Sequence, residues 1–171
     1  MKKTILKYGL YSFLVASILF LSVFYIGEEL PFQVRSILGF VAMLVPLCFV
    51  YFGIKQYKND ELHGEIDFKT AFIVGALISI FAAVGFGITD AIYISEINPD
   101  FSAEYLAYEN ELLAARTNLT QEEMTYERLS LLKRSEAFQN PMTIFFVMTM
   151  MVFVLGVIVS LLSSFILYKK N

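Results

Sequence analysis

Four apolar runs dominate this chain, each close to or above the roughly 20 residues a helix needs to cross about 30 Å of hydrocarbon. They extend from about Ile5 to Ile26, Ile37 to Ile54, Thr70 to Ile94 and Met142 to Tyr168. Inside a bilayer no water bonds the backbone N–H and C=O groups, so such runs must close their hydrogen bonds internally as helices. The composition agrees: 57% hydrophobic and 17% charged residues, with a mean hydropathy of +0.64, exceed the apolar share of about 45–50% in soluble domains. The expected fold is all-α and polytopic, a single membrane domain over residues 1–171 with four transmembrane helices. The lipid bilayer is its first expected partner. A net charge of −3, with no basic patch, argues against nucleic acid.

The first run follows Lys2, Lys3 and Lys7, as a secretory signal would. Its apolar part is longer than a signal peptide's and no small-x-small site comes after it, so it is read as a retained span. No cysteine follows it that would mark lipoprotein processing. Cations resist translocation, so their placement orients the bundle. Lys2, Lys3, Lys7, Lys55, Lys58, Lys69, Lys169 and Lys170 fall at one set of span ends, against Arg35, Arg116, Arg128, Lys133 and Arg134 at the other, in much longer sequence. Both termini are therefore expected in the cytoplasm. Tyr8, Tyr11, Tyr25, Tyr51, Tyr57, Tyr93 and Tyr168 lie toward span ends, as an aromatic belt would. Cys48 is the only cysteine; it can form no intrachain disulfide and is expected as a small buried hydrophobe.

The connections differ in length. Gly27 to Ser36 is a short outer loop and Lys55 to Lys69 an inner turn around Gly64, whereas residues 95–141 carry nine acids against four bases. Asn98-Pro99 reads as a helix start with Phe101, Tyr105, Tyr108 and Leu112 on one face. Thr120-Gln121-Glu122-Glu123 is a capping-box pattern for a second helix bearing Met124, Leu131 and Phe138, with a break at Thr117-Asn118. Asn140-Pro141 repeats the start signal before the fourth span. This segment is expected to be an extracytoplasmic helical hairpin, or extensions of the flanking spans.

On the third span Ala71, Gly75, Ser79, Ala83, Gly87, Ala91 and Ser95 place a small residue at every fourth position, and Gly156, Ser160 and Ser164 repeat the spacing on the fourth. Small residues let helices approach until packing and weak hydrogen bonds replace the hydrophobic drive that lipid removes. A four-residue step overshoots one turn by about 40°, so the stripe needs two partners or one crossing obliquely. Packing within the chain is the ordinary reading, and a homodimer through the same faces the alternative. Pro46, inside the second run, should free the carbonyl of Ala42 and kink the helix. Asp90, about 31 Å along the third helix from Lys69, is the candidate intramembrane polar residue. Near the outer edge it is expected to reach interfacial water, or to bond Thr89, Arg35 or its own helix turn.

Nothing points to catalysis, a metal or a cofactor. His63 is the only histidine, no HExxH pattern exists, and the acid pairs Asp60-Glu61 and Glu122-Glu123 sit in solvated connections. Asn118-Leu119-Thr120 fits a glycosylation sequon but reads as a loop break.

The string YFGIKQYKNDELHGEIDFKTAFIVGALIS from Tyr51 to Ser79, the long acidic helical loop, FQNP, and GVIVSLLSSFILYKKN to the end resemble an uncharacterised bacterial family of four-span membrane proteins, domain of unknown function four-one-nine-nine. The resemblance implies the four-helix topology and a bacterial inner membrane, and carries over no site residue. The functional expectation is a scaffold or accessory protein whose outer hairpin meets a membrane or periplasmic partner. The alternative is a small transporter or channel subunit using Asp90 and the Pro46 kink.

Overall fold

The structure is a computed structural model in which residues 1–27 and 29–169 are described. Lys170, counted above among the inner cations, lies outside them. The first span is α1 (Lys2–Ile26). The second comprises α2 (Phe32–Leu44), a 3-10 turn over Val45–Leu47, α3 (Cys48–Gln56) and a π-helical turn over Tyr57–Glu61. The third is α4 (Phe68–Ile92), which runs into a π-helical turn over Tyr93–Ile97. Outside the spans lie α5 (Phe101–Ala114) and α6 (Gln121–Phe138), and α7 (Pro141–Leu167) is the fourth span. Four helical stretches are long and apolar enough to cross a bilayer: Lys2–Tyr25, Phe32–Glu61, Phe68–Ile97 and Pro141–Leu167. The protein is an all-α, multi-pass membrane protein.

The second and third spans outrun the apolar runs that announce them. Polarity ends a hydropathy signal at Lys55 or Ser95, but a helix continues until its backbone is capped or broken. The break after the second span comes at His63 and Gly64, with φ of 54° and 95°, left-handed values that glycine adopts at least cost. Gly64 N–H donates to the Lys58 carbonyl at 2.9 Å. Asp67 then caps α4, accepting from Thr70 N–H at 3.0 Å. At this end Lys58 Nζ donates to the Leu167 carbonyl at 3.0 Å, and Ile66 and Lys169 exchange backbone hydrogen bonds of 3.0 and 3.2 Å. The Met1 ammonium and the Thr4 hydroxyl both meet Glu61. The first residues, the inner turn and the end of α7 are thereby tied together on one side of the bundle.

The core is centred on α4, which packs against α1, α3 and α7. Phe20 of α1 meets Phe86 edge-on at 4.8 Å between ring centroids, and Phe24 lies 4.8 Å from Tyr93. At Pro46 the second span tightens into its 3-10 turn, and the Ser12 hydroxyl donates to the Pro46 carbonyl at 2.8 Å in the interior. This turn is a packed joint between α1 and the second span.

Three expectations change. Cys48 is exposed on the outer face of its helix, because a lipid-facing position is as apolar as a core one and the sequence looks the same for both. Tyr57 and Tyr93 pack into the core instead of joining an aromatic belt. Asn98 does not cap α5, whose N-cap is Asp100 without a side-chain bond; its amide instead donates to Tyr93 Oη and Glu104 Oε1, each at 3.2 Å.

The other start signals form as read. Thr120 and Glu123 close a reciprocal capping box at the head of α6, and Asn140 Oδ1 accepts from Met142 N–H at 2.9 Å and Thr143 N–H at 3.4 Å at the head of α7. Between α5 and α6, Ser135 donates to the Ser102 carbonyl at 3.1 Å, Leu113 and Leu131 are buried, and Tyr105 packs on Phe138 at 5.3 Å. Phe32 joins this pair to the second span through Phe101, Tyr105 and Tyr108.

The capping box makes a pH prediction. Hydrogen bonds from the Thr120 backbone N–H and hydroxyl hold the Glu123 carboxyl below its ordinary value of 4.5. A lowered folded-state value gives stability that is present above 4.5 and lost as pH falls through the lower folded value. With the intrinsic exchange rate divided out, the protection of amides in the first turn of α6 should fall on acidification through that window in the native protein. In Glu123→Gln, which has no carboxyl to titrate, the protection of the same amides should not change across the window.

Candidate functional site

The small residues of the third and fourth spans meet. Gly75 lies under Ser160, where a Cβ would come within 2.8 Å of the hydroxyl and 2.9 Å of Ser160 Cβ. Gly156 lies under Ser79, with corresponding distances of 2.6 and 2.5 Å. The Ser79 and Ser160 hydroxyls are 3.3 Å apart and fully buried. Each serine also returns its hydrogen to its own helix, Ser79 to Gly75 O at 2.9 Å, Ser160 to Gly156 O at 2.7 Å and Ser164 to Ser160 O at 2.6 Å. These three hydroxyls are all partnered, so they pass through the interior without the penalty of an unpaired group. Ala83 is buried beside an apolar groove that it lines with Ile80, Phe146, Thr149, Met150 and Phe153. Gly87 faces Phe145 and Thr149, and a Cβ there would run into the Thr149 hydroxyl.

From Gly75 to Gly87 the stripe therefore packs chiefly on α7, with Ile54 of α3 also against Gly75. Ala71 at its start is buried, whereas its far end leaves the seam, with Ala91 half-buried and Ser95 exposed. A different set of positions takes α1, where Gly85 lies against Phe13 with its Cβ position 2.9 Å from the Phe13 carbonyl oxygen, and Ser17 donates to Gly85 O at 3.4 Å.

Asp90 lies one turn beyond Gly87. Its residue is only 4% exposed, so the chain itself covers most of it. The three partners expected for it are engaged elsewhere or absent. The Thr89 hydroxyl donates to Gly85 O at 2.7 Å. Arg35 Nη2 donates to Glu104 Oε2 at 2.7 Å, with its guanidinium carbon 5.5 Å from the Phe32 ring centre. Among the described residues no hydrogen bond or ion pair reaches the Asp90 carboxyl.

Two features escaped the sequence reading. The Arg35–Glu104–Asn98–Tyr93 network joins the second span, the end of the third and α5, and no local spacing announces contacts between residues so far apart in the chain. Thr149 is the second. It is the one polar side chain between Thr143 and Ser160, a signal that was present. Its hydroxyl is buried and has no partner among the described residues. No group of three or more His, Cys, Asp or Glu side chains that could hold a metal ion occurs among the described residues.

Close approach at Gly156 sets a stability prediction. In Gly156→Leu the new side chain must displace Ser79 and the helix behind it, and overpacking of this kind costs about 1–3 kcal/mol or more. Thermal unfolding of the purified protein in detergent should show a lowered midpoint. Gly64→Ala, at a glycine with nothing within 4 Å, should lower it less, through backbone strain at positive φ alone.

Comparison with known proteins adds the family. Neither the curated proteins nor the solved structures contain a match to the chain. The family model described as Protein of unknown function (DUF4199) matches residues 7–169, a range that takes in all four spans, the α4–α7 seam and the α5–α6 pair, and the chain belongs to that family.

Proposed function

We propose that the protein is a non-catalytic scaffold or accessory protein of a bacterial inner membrane, with both termini in the cytoplasm and the α5–α6 pair on the outer side as its partner-facing surface. The orientation follows from the cations clustered around the inner turn and the chain ends. The observation that carries the reading is the unshared face of α6. Leu131 and Ser135 turn toward α5, while Tyr126, Leu129 and Leu132, 72%, 53% and 46% exposed, form a stripe on the opposite side. They lie outside the four spans, among both acids, Glu122 and Glu136, and bases, Arg128 and Lys133. An exposed aromatic and aliphatic stripe with a border of mixed charge suits a protein partner with an apolar centre and a polar rim.

One observation favours a second reading, a small transporter or channel subunit: Asp90 is buried in a span without a partner, and such a group is a functional candidate by default. Pro46 supports that reading less, since it is itself fully buried and Ser12 holds its carbonyl.

Photoreactive residues placed at Tyr126 and Leu129 test the scaffold reading in cells. Leu131 would be a poor site because it is buried against α5. A reproducible crosslink to one heterologous membrane or periplasmic protein is the expected result. Crosslinks only between copies of this chain, or none, would overturn the partner-facing role of α6.

A further inference from the structure

We propose that Asp90 and Thr149 together form a proton-binding site in the outer half of the α4–α7 seam. This goes beyond the scaffold reading and does not depend on it.

Most hydroxyls of the seam are turned back onto their own helix. Ser79, Ser160, Ser164 and, on the α1 side, Thr89 each bond the carbonyl four residues back. Thr149 does not. Its Oγ1 is buried and unpartnered among the described residues, and it rests on the bare backbone of Gly87, where any Cβ would collide with it. Asp90 follows Gly87 by three residues, and positions three apart on a helix are neighbours about 5–6 Å apart at Cβ. The carboxyl without a partner on α4 and the hydroxyl without a partner on α7 are therefore brought to within about one helical turn of each other. Gly87 is the residue that lets the hydroxyl so close.

The chemistry of the pair selects the ligand. A carboxylate without a counter-charge is among the most costly groups a span can bury, and none of the surrounding elements supplies a cation. From Pro141 to Leu167 α7 has no ionisable side chain. Between Tyr11 and Tyr25 α1 has none either. On the second span Arg35 is paired with Glu104 of α5, and Lys55 and Lys58 belong to the opposite end. After Asp90, the third span carries Tyr93, whose hydroxyl accepts from Asn98, and the exposed Glu96. A calcium ion takes about six to eight oxygen ligands, more than one carboxyl and one hydroxyl provide. A proton needs a single carboxylate oxygen. A hydroxyl suits both states of that group, because it accepts a hydrogen bond from the carboxylic acid and donates one to the carboxylate.

The test uses the full chain in lipid vesicles and dicyclohexylcarbodiimide, an apolar reagent that adds to protonated carboxyl groups within the bilayer. Adducts are located by peptide mass spectrometry between mildly acidic and mildly alkaline pH. The expected result is an adduct on the α4 peptide at Asp90 whose yield falls as pH rises, and none on that peptide in Asp90→Asn. Thr149→Val removes one hydroxyl and keeps the side-chain volume, so it should fold with an unchanged melting temperature. It should also move the half-yield point toward alkaline pH by about threefold to tenfold in proton concentration, because the bond donated to the carboxylate is roughly twice as strong as the one accepted from the acid. Three outcomes overturn the proposal: no adduct at Asp90 at any pH, a yield independent of pH, or the same half-yield point in Thr149→Val and the native protein. If Asp90→Asn does not fold, the comparison of native protein with Thr149→Val decides alone.

Discussion

The close approach of α4 and α7 is the constraint on which the rest of the bundle depends. In lipid, apolar side chains gain nothing by leaving their surroundings for one another, so helices associate where their surfaces fit and where polar groups find partners. Gly75, Ser79, Gly156 and Ser160 meet both conditions, with each glycine receiving the serine of the opposite helix and each serine bonded within its own. Once α7 is seated there, the other face of α4 is left to α1, through Phe20, Phe86 and Gly85, and α3 fills the remaining side. The Pro46 turn then fits against Ser12 of α1. A change at the seam should spread through all four spans, whereas a change at the exposed face of α6 should not.

What was legible in the sequence is what is local or periodic. The four runs follow from apolar length, the α6 cap from Thr120 and Glu123 three residues apart, and the start of α7 from Asn140-Pro141. The four-residue repeat of small side chains pointed to the α4–α7 pairing, because the spacing itself describes a helix face. What was not legible depends on which residues the fold brings together. Asn98 carries a cap signal, yet Tyr93 and Glu104 take its amide, and the helix starts without it. Arg35 was the natural counter-ion for Asp90 by its side of the membrane, but α5 presents Glu104 first. Cys48 illustrates a limit specific to membrane proteins, since apolarity does not separate the interior from the lipid face.

The two ends of the molecule are built differently. At the end that holds the inter-helix turn around Gly64, short ties close the bundle: Lys58 to the end of α7, and Ile66 to Lys169. At the opposite end a longer polar and aromatic network, from Arg35 through Glu104 and Asn98 to Tyr93, carries α5 and with it α6. The exposed stripe on α6 is thus held in a defined position over the spans, as a docking surface requires.

The measurement that most directly tests the central claim is disulfide trapping of the seam. With Cys48 replaced by Ala, Ser79→Cys and Ser160→Cys place two thiols where hydroxyls now stand 3.3 Å apart, close enough for a bond of ordinary geometry. Oxidation in native membranes should give a disulfide within one chain, seen as a faster-running monomer on a non-reducing gel, and each single-cysteine variant should give none. Disulfide-linked dimers as the only product, or no bond at all, would contradict the account, because the small-residue faces would then belong to contacts between chains or to no contact.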